Sequence, residues 1–359
     1  MKAAPVIRAL AAHPAEQLVV HTGQHYDFNM SEVFFRQLGM PAPDINLQVG
    51  SGTHAQQTAQ IMSRFEPVLL ETRPDMVVVY GDVNSTVAAA LVCSKLMVKI
   101  AHVEAGLRSF DRTMPEEINR LLTDQLCDLL FTPSEDGNRN LAREGVSFEK
   151  VFFVGNVMID TLTRMLPQTK GRLPDDLPRK YALVTLHRPS NVDELGWLSE
   201  LISSLEKASR EVSFIFPVHP RTRQKLAELG ITPNGNGHLR FLDPLPYLEF
   251  LALQKHAAIV ITDSGGIQEE TTFLGVPCLT VRENTERPVT VSMGTNLLVG
   301  RDSPRLIREI SRVLERPGKQ GDIPPLWDGH AAERIASIIV RSGARMSEAE
   351  TPVLSGRTR

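Results

Sequence analysis

Ionisable side chains follow several short apolar runs in this sequence. Asp82 and Glu104 come at the ends of two runs in the first half of the chain, and His187, His219 and Asp263 directly follow three later runs. Carboxylates and imidazoles are the groups that most often move protons in catalysis. Because functional groups of parallel α/β sheets collect beyond the carboxyl ends of the strands, we expect these five residues to line one cleft between two domains.

The segment from Asp263 to Glu270, DSGGIQEE, has the pattern of a phosphate-binding turn between a strand and a helix. Its Gly-Gly pair lets a ligand approach the backbone, and a helix N-terminus offers N–H groups and partial positive charge, which suit a diphosphate. Glu270, about one turn later, is expected to accept hydrogen bonds from ribose hydroxyls. Arg287 adds a cation for phosphate. The alternative is an ordinary helix start capped by Ser264.

A third segment, from Thr113 to Arg120, allows two interpretations. It fits a capping box in which Thr113 caps a helix, Glu116 reaches back to it and Arg120 pairs with Glu116 on the surface. The functional interpretation requires Glu116 to face the cleft beside Asp82 and Glu104. Asp82 and Glu104 also have structural alternatives, as a helix cap and as the partner of the arginine four residues later.

Short β-branched runs alternate with amphipathic helical patterns along the whole chain. Many runs are continuously apolar, as strands covered on both faces are, and the alternation predicts parallel sheets built from βαβ units. The expected strands are Leu18–His21, Met76–Tyr80, Lys99–Val103, Leu129–Thr132, Val151–Val154, Tyr181–Leu186, Ser213–Val218, Leu239–Leu242, Ala258–Thr262, Cys278–Val281 and Asn296–Val299. Helices are expected at Pro5–His13, His54–Glu71, Trp197–Glu211 and near residues 330–345.

The organisation predicts an α/β fold of two Rossmann-like, doubly wound domains. Leu166–Arg179 is rich in proline and has no strand signal, so we interpret it as the linker. The first domain is expected at residues 1–166, completed by the helix near 330–345, and the second at residues 167–340. Because a helical pattern precedes the first strand, the first domain is expected to lack the usual opening strand. Residues 346–359 are expected to form a flexible tail.

The composition excludes several classes of protein. The 359 residues carry a net charge of -3, so there is no basic footprint for nucleic acid. No apolar run approaches the roughly 18 residues that a membrane helix needs. Cys93, Cys127 and Cys278 lie in separate apolar stretches, which is typical of reduced core cysteines in a cytoplasmic protein and not of a metal site. Without a G-x-G-x-x-G or P-loop motif, no nicotinamide or ATP fingerprint is present.

Taken in order, these motifs resemble those of the non-hydrolysing UDP-N-acetylglucosamine 2-epimerase family. The matching runs span nearly the whole chain and are Thr22–His25, Tyr80–Asp82, His102–Arg108, Pro115–Arg120, Thr185–Arg188, Asp263–Glu270 and Thr285–Pro288. The resemblance implies a fold of the glycosyltransferase-B type, with UDP held mainly by the second domain. It also implies a homodimer and a reaction that needs no redox cofactor.

The resemblance supplies a mechanism as well. The C2 proton of the substrate is removed while UDP leaves C1 in an anti elimination, which gives a 2-acetamidoglucal; UDP then adds back and C2 is protonated on the opposite face. By similarity, Asp82, Glu104 and Glu116 are the acid–base carboxylates and His187 assists the departing phosphate. The implied substrate- and UDP-binding residues are Lys2, Arg120, His219, Ser264, Gly265, Gly266, Glu270 and Arg287.

The sequence departs from the family pattern in two places. The family opens with a strand and a G-x-R-P-E-x-x-K-type turn, of which only Lys2 has a counterpart, so we expect the chain as written to be less stable or less active. Gly23–Asp27, Met30–Ser31, Phe34–Phe35 and Leu186–Pro189 resemble a branch that includes UDP-2,3-diacetamido-2,3-dideoxyglucuronate 2-epimerases. The expected function is a UDP-N-acetylglucosamine 2-epimerase. The alternatives are that uronate epimerase, a glycosyltransferase, and a catalytically impaired UDP-sugar-binding protein.

Overall fold

A computed structural model describes residues 1–24, 37–231, 238–315 and 319–349, without the side chains of 344–349. The chain divides into two compact units. Unit 1 comprises Met1–Leu107, Asp111–Thr161 and Asp328–Arg359, and unit 2 comprises Arg108–Phe110 and Leu162–Trp327.

Twelve strands are present in the described residues, and we number them in chain order. They are β1 Val20–His21, β2 Ile45–Asn46, β3 Met76–Tyr80, β4 Lys99–Val103, β5 Leu129–Thr132, β6 Val151–Phe153, β7 Tyr181–Thr185, β8 Ser213–Pro217, β9 Leu239–Leu242, β10 Ile259–Thr262, β11 Cys278–Thr280 and β12 Asn296–Leu298. The α-helices are Ala3–Leu10, His54–Thr72, Asn84–Leu96, Pro115–Leu126, Glu135–Arg143, Val157–Met165, Pro189–Val192, Leu195–Ala208, Pro220–Glu228, Tyr247–His256, Gly265–Leu274, Pro288–Ser292, Ser303–Glu315 and Ala331–Ala349.

Unit 1 is built on a sheet of four parallel strands in the order β3-β4-β5-β6, with β1 and β2 forming a separate parallel pair. Successive strand residues point to opposite faces, and both faces are covered. Ile100 packs into a cluster with Ile61 and Phe65 of the helix His54–Thr72. The next residue, Ala101, packs on the other face with Ile335 of the C-terminal helix. Covering both faces explains why these strands are continuously apolar in sequence.

Unit 2 contains six parallel strands in the order β12-β11-β10-β7-β8-β9. The order reverses between β7 and β10, which is the switch point of a doubly wound sheet. Leu183 and Val184 of β7 belong to separate core clusters on the two faces. Ligands of such sheets bind beyond the carboxyl ends of the strands at the switch point, and His187 and Asp263 follow the two strands that meet there.

The predicted strands are confirmed, with ends that shift by a few residues. β2 was not predicted, because its two residues are too few to give an alternation pattern. The helix expected near residues 330–345 spans Ala331–Ala349, so residues 346–349 belong to a helix and not to the expected tail. Its first turn is fixed by Asp160, whose carboxylate accepts hydrogen bonds from the N–H groups of Ala331 at 3.2 Å and Ala332 at 2.6 Å. Residues 350–359 lie outside the described part of the chain.

The three cysteines are buried and form no disulfide, as the sequence predicts. Among the described residues, no helix is both long and apolar enough to span a bilayer.

Candidate active site

The first candidate cluster lies in unit 1, where Asp82 and Glu104 follow neighbouring parallel strands. The last residues of β3 and β4 are register partners, so the two turns leave the sheet side by side. Lys2 forms an ion pair with Glu104. A Cβ atom on Gly81 would lie 2.7 Å from Lys2 Nζ, and the φ of Gly81 is +67°, so this position requires glycine. The structure therefore brings Lys2, Asp82 and Glu104 to one edge of the sheet.

Arg120 links Asp82 to the helix Pro115–Leu126. Its Nη2 pairs with the Asp82 carboxylate, and its Nη1 donates to Glu117 Oε2 at 2.8 Å. Arg120 and Glu117 are both buried. Asn119 Nδ2 donates to the main-chain oxygen of Asp82 at 2.9 Å. The guanidinium stabilises the ionised carboxylate and the amide fixes its backbone, so Asp82 is held in one orientation.

The capping box expected at Thr113 is wrong. The helix begins at Pro115, Met114 occupies the N-cap position, and no side chain caps it. Thr113 instead donates its hydroxyl to Asp111 Oδ1 at 2.6 Å. Proline at the first helical position has no N–H to be capped, so the helix starts one residue later than the capping-box pattern suggests.

Glu116 lies in the first turn of this helix and is half-buried. Arg120, one turn later, pairs with Glu117 and Asp82, so the surface pair between Glu116 and Arg120 is not formed. Among the residues that the structure describes, the Glu116 carboxylate has no hydrogen-bond or ion-pair partner. A half-buried carboxylate without a protein partner is available to a ligand.

The second cluster lies in unit 2, where His187 and His219 follow the adjacent strands β7 and β8. Their ring centroids are 5.9 Å apart. His187 Nδ1 lies 3.2 Å from Asp263 Oδ1, and the main-chain N–H of His187 donates to Asp263 Oδ2 at 3.1 Å. Burial acts to raise the pKa of Asp263, but the hydrogen bond and charge of His187 hold it below its usual value. Burial, and then the charge of His187, lower the pKa of His219. Asp263 thus orients His187.

The predicted phosphate turn is the N-terminus of the helix Gly265–Leu274. Ser264 occupies the N-cap position, but its side chain makes no capping hydrogen bond, so capping does not account for this serine. A Cβ atom on Gly265 would lie 2.9 Å from both Arg287 Cζ and Glu286 Oε1. The guanidinium therefore packs directly against the helix N-terminus. Positive charge and helix N–H groups at one place suit an anionic ligand.

Glu286 forms ion pairs with three arginines beside this turn. Arg287 Nη1 lies 2.5 Å, Arg282 Nη2 2.7 Å and Arg188 Nη2 3.4 Å from its carboxylate oxygens. Glu269 pairs with Arg287 from the helix at 2.9 Å. Burial acts to raise the pKa of Glu286, but the charges of Arg287 and Arg282 hold it well below its usual value. Three guanidinium groups and two carboxylates thus meet here, and Asp263 adds a third negative charge near Arg188.

Glu270 lies one turn into the same helix and is almost completely buried. Its Oε1 accepts a hydrogen bond from Tyr247 Oη at 2.9 Å; its Oε2 makes no hydrogen bond of normal geometry among the described residues, although the Gln254 side chain is near enough to lower its pKa. Burial raises the pKa of Glu270 to about 7. One oxygen of the predicted ribose-binding carboxyl is thus occupied, while the other is unsatisfied.

The partners of the site residues were missed by sequence reasoning. Tyr247 was not linked to Glu270, and Asp263 was not identified as the partner of His187. His102 and Asp124, a buried pair beneath the unit 1 turns, were also missed. Each pair is separated by at least 22 positions, so no local spacing rule joins them. A histidine inside an otherwise apolar strand was the one available signal for His102.

Two other predictions bear on the extent of the site. His25 and residues 26–36, which include part of the expected branch-specific pattern, lie outside the described residues. Within the described ranges, no group of three or more His, Cys, Asp or Glu side chains is placed to hold a metal ion.

Two Rossmann-like units, with ionisable groups at the carboxyl ends of their strands, define an α/β enzyme with a fold of the glycosyltransferase-B class. The chain belongs to the UDP-N-acetylglucosamine 2-epimerase family, because the model of that family matches residues 8–340. It is therefore a member of an isomerase family.

Three comparisons show how near the relatives are. The UDP-N-acetylglucosamine 2-epimerase of Methanocaldococcus jannaschii is 43% identical over 354 residues, which cover 94% of this chain and 95% of the relative. The crystal structure of the M. jannaschii enzyme in complex with UDP-GlcNAc and UDP is similar with a TM-score of 0.87 and 42% identity, covering 95% and 96% of the two chains. The UDP-2,3-diacetamido-2,3-dideoxy-D-glucuronate 2-epimerase of Pseudomonas aeruginosa is 40% identical over 345 residues, 95% of this chain and 96% of the relative.

Proposed function

We propose that this protein interconverts UDP-N-acetylglucosamine and UDP-N-acetylmannosamine without hydrolysing them. The observation that carries the proposal is the placement of Asp82 and Glu104 on neighbouring strand ends, each paired with its own cation. The M. jannaschii relative of the same family, whose structure holds UDP-GlcNAc and UDP, supports it.

In the proposed reaction, a carboxylate of unit 1 removes the C2 proton, and the C1–O bond to UDP breaks with its electron pair leaving on the diphosphate. The product is a 2-acetamidoglucal. UDP then adds back at C1, while C2 receives a proton on the opposite face. Inversion at C2 needs acid–base groups on both faces of the sugar, a role for Asp82, Glu104 and Glu116. The partner-free carboxylate of Glu116 supports its inclusion.

Unit 2 is proposed to hold UDP. The helix N-terminus at Gly265 and Gly266, the Ser264 hydroxyl and Arg287 offer donors and charge to the diphosphate as negative charge develops on it. His187, which Asp263 orients, lies at the same switch point and is proposed to assist the departing phosphate. The unsatisfied Oε2 of Glu270 supports its role as an acceptor for a ribose hydroxyl. Lys2, Arg120 and His219 are proposed to contact the substrate.

The test is incubation of the full chain with UDP-GlcNAc in heavy water, followed by proton NMR. We expect UDP-N-acetylmannosamine to appear with deuterium at C2. The variants D82N, E104Q and E116Q are expected to lower kcat by about 10²- to 10⁴-fold, the usual contribution of a positioned acid or base. Glu149→Gln is the matched control, because Glu149 is exposed and lies in the short helix Phe148–Lys150.

Other outcomes would redirect the assignment. Epimerisation that retains the C2 hydrogen would contradict the elimination mechanism. Binding of UDP without any exchange would favour a UDP-sugar-binding protein, and transfer of the sugar to an acceptor would indicate a glycosyltransferase.

A second candidate is the 2-epimerisation of UDP-2,3-diacetamido-2,3-dideoxyglucuronate, favoured by the 40% identity to the P. aeruginosa relative. The chemistry at C1 and C2 is the same, and only the C3 and C6 substituents differ. Comparing kcat/KM for the two nucleotide sugars decides between them. We also infer that the protein is a cytoplasmic homodimer. Light scattering of the purified chain tests the oligomeric state.

A further inference from the structure

His102 is a fully buried residue near the end of β4, and both of its ring nitrogens face acceptors. Nε2 lies 2.8 Å from the main-chain oxygen of Gly81, and Nδ1 lies 2.7 Å from Asp124 Oδ1. A peptide oxygen accepts hydrogen bonds and cannot donate them, so Nε2 carries a hydrogen. The contact between Nδ1 and the Asp124 carboxyl is a second hydrogen bond, so both ring nitrogens are engaged.

Asp124 extends the pair to a second turn. Its Oδ2 accepts a hydrogen bond from the Gly106 N–H at 3.1 Å. The pair therefore joins the turn after β3, at Gly81, to the turn after β4, at Gly106. These are the turns that carry Asp82 and Glu104.

Both turns contain unusual backbone conformations that need such support. The φ angles of Gly81 and Gly106 are +67° and +79°. Glu104 also has a positive φ, +77°, which a residue with a side chain rarely adopts. Conformations of this kind persist only where the surroundings fix them, and they cluster at functional sites.

Core stability alone does not account for the pair. Removing an imidazole and a carboxylate from water is unfavourable, and an apolar pair of similar volume is often equally stable. The hydrogen bonds of His102 and Asp124 end instead at the two turns, immediately beside the carboxylates on which the proposed function rests.

We propose that His102, paired with Asp124, is a positioning residue that sets the separation and orientation of Asp82 and Glu104. It does not touch the substrate. It acts by fixing the carbonyl of Gly81 from one nitrogen and, through Asp124, the N–H of Gly106 from the other.

The matched variants His102→Asn and His102→Gln test the two hydrogen bonds of His102 separately. An Asn amide reaches about as far as Nδ1 and keeps a donor toward Asp124, whereas a Gln amide reaches about as far as Nε2 and keeps a donor toward Gly81. Each variant loses one of the two contacts. Since a misplacement of about 1 Å lowers rates by about 10²-fold, we expect kcat to fall by about 10- to 100-fold in both.

The KM for the nucleotide sugar is expected to change less than about threefold, because UDP is proposed to be held by unit 2. Exposed His256→Asn serves as the control and should leave kcat and KM unchanged. Unchanged kcat in folded His102→Asn and His102→Gln would overturn the positioning role. An equal loss in kcat and in the fraction of folded protein would reduce His102 to a structural residue.

Two readouts are independent of catalysis, so a failure of the proposed function is distinguishable from a failure of this proposal. ¹⁵N NMR of the histidine-labelled wild-type chain, which has ten histidines, should show one residue with a hydrogen-bonded hydrogen on Nε2 whose signals are absent in His102→Asn. A His102 ring without a hydrogen on Nε2 would contradict the contact with the Gly81 carbonyl. Crystal structures of the wild type and of His102→Asn should show the Asp82 and Glu104 carboxylates displaced by more than about 0.5 Å, which is the positional tolerance of a working site. Superimposable carboxylates would refute the proposal.

Discussion

The hydroxyl of Tyr247 donates a hydrogen bond to Glu270 Oε1 across 2.9 Å, and both side chains are buried in unit 2. Burial raises the pKa of Glu270 to about 7, while the hydrogen bond from Tyr247 opposes that rise. At a slightly acidic pH the folded protein therefore keeps a proton that the unfolded chain releases. This difference makes the stability of unit 2 depend on pH.

The first prediction concerns Glu270→Gln. Between about pH 4.5 and pH 7 the carboxyl ionises in the unfolded chain but not in the folded one, so rising pH favours unfolding. The full difference amounts to about 3 kcal/mol, at about 1.4 kcal/mol for each unit of pKa. Glutamine does not titrate, so the variant should gain about this much unfolding free energy relative to wild type from pH 4.5 to pH 7.5. Urea unfolding at several pH values measures it.

Glu149→Gln is the control for this series, because Glu149 is exposed. Its stability should follow that of the wild type at every pH. A difference between Glu270→Gln and wild type that stays constant from pH 4.5 to pH 7.5 would mean that Glu270 does not hold its proton in the folded state.

A second prediction separates the hydroxyl of Tyr247 from its ring. Tyr247→Phe leaves Glu270 without this donor, so the pKa of Glu270 should rise above about 7 and the pH-dependent loss of stability should extend to higher pH. Loss of the buried hydrogen bond should lower the unfolding free energy by about 1–3 kcal/mol. Unfolding curves at pH 6, 7 and 8 provide the measurement.

Tyr181→Phe is matched to it. The Tyr181 hydroxyl is also buried and donates to the main-chain oxygen of Leu253 at 2.7 Å, but it contacts no carboxyl in that bond. This variant should lose a similar amount of stability without a shift in the pH range. The same pH shift in both variants would show that the Tyr247 hydroxyl has no specific effect on Glu270.

Much of the fold was predictable because both faces of each main sheet are covered. A strand such as β10 is then a continuous apolar run, and the residue after it, Asp263, marks the carboxyl-terminal edge of the sheet, where ligands of doubly wound folds bind. The Gly-Gly turn was also recognisable from its own residues at the end of a strand, although the side chains that a Cβ atom on Gly265 would meet, Glu286 and Arg287, are distant in sequence. These features are encoded within a few consecutive residues.

Other features depend on residues that are distant in sequence. Tyr247 and Glu270 lie on different helices, and His102 meets Asp124 only when β4 packs against the helix Pro115–Leu126. At Thr113 the local pattern was misleading, because the capping box and a proline-initiated helix share the same residue types. Local spacing predicts candidate site residues more readily than it predicts the hydrogen-bond partners of those residues.

A third prediction concerns Arg120, which is buried between Asp82 and Glu117. Arg120→Leu leaves buried Glu117 without its guanidinium, and breaking a buried pair in this way typically costs about 3–5 kcal/mol. The double variant Arg120→Leu/Glu117→Gln also removes the buried charge of Glu117 and should be more stable than Arg120→Leu alone. Denaturant unfolding of the two single variants and the double variant gives the coupling free energy.

Activity should not follow stability in this series. Asp82 has lost the guanidinium of Arg120 in the double variant as well, so the epimerase activity of this variant should remain low even where the fold is restored. Recovery of activity together with stability would show that Arg120 acts only by neutralising Glu117.

The last prediction compares two glycines in the first turns of unit 2 helices. At Gly265 an added Cβ would lie 2.9 Å from Arg287 Cζ and from Glu286 Oε1, whereas at Gly196 it meets nothing within 4 Å. Gly196→Ala should therefore leave stability unchanged or raise it by about 0.5–1 kcal/mol, the usual gain of alanine over glycine in a helix. Gly265→Ala should displace Arg287 from the helix N-terminus and weaken UDP binding by at least about tenfold, since each charge-assisted hydrogen bond contributes about 1.5–3 kcal/mol. Isothermal titration calorimetry with UDP checks both variants. Equal UDP affinity in the two would show that the diphosphate does not bind at the Gly265 turn.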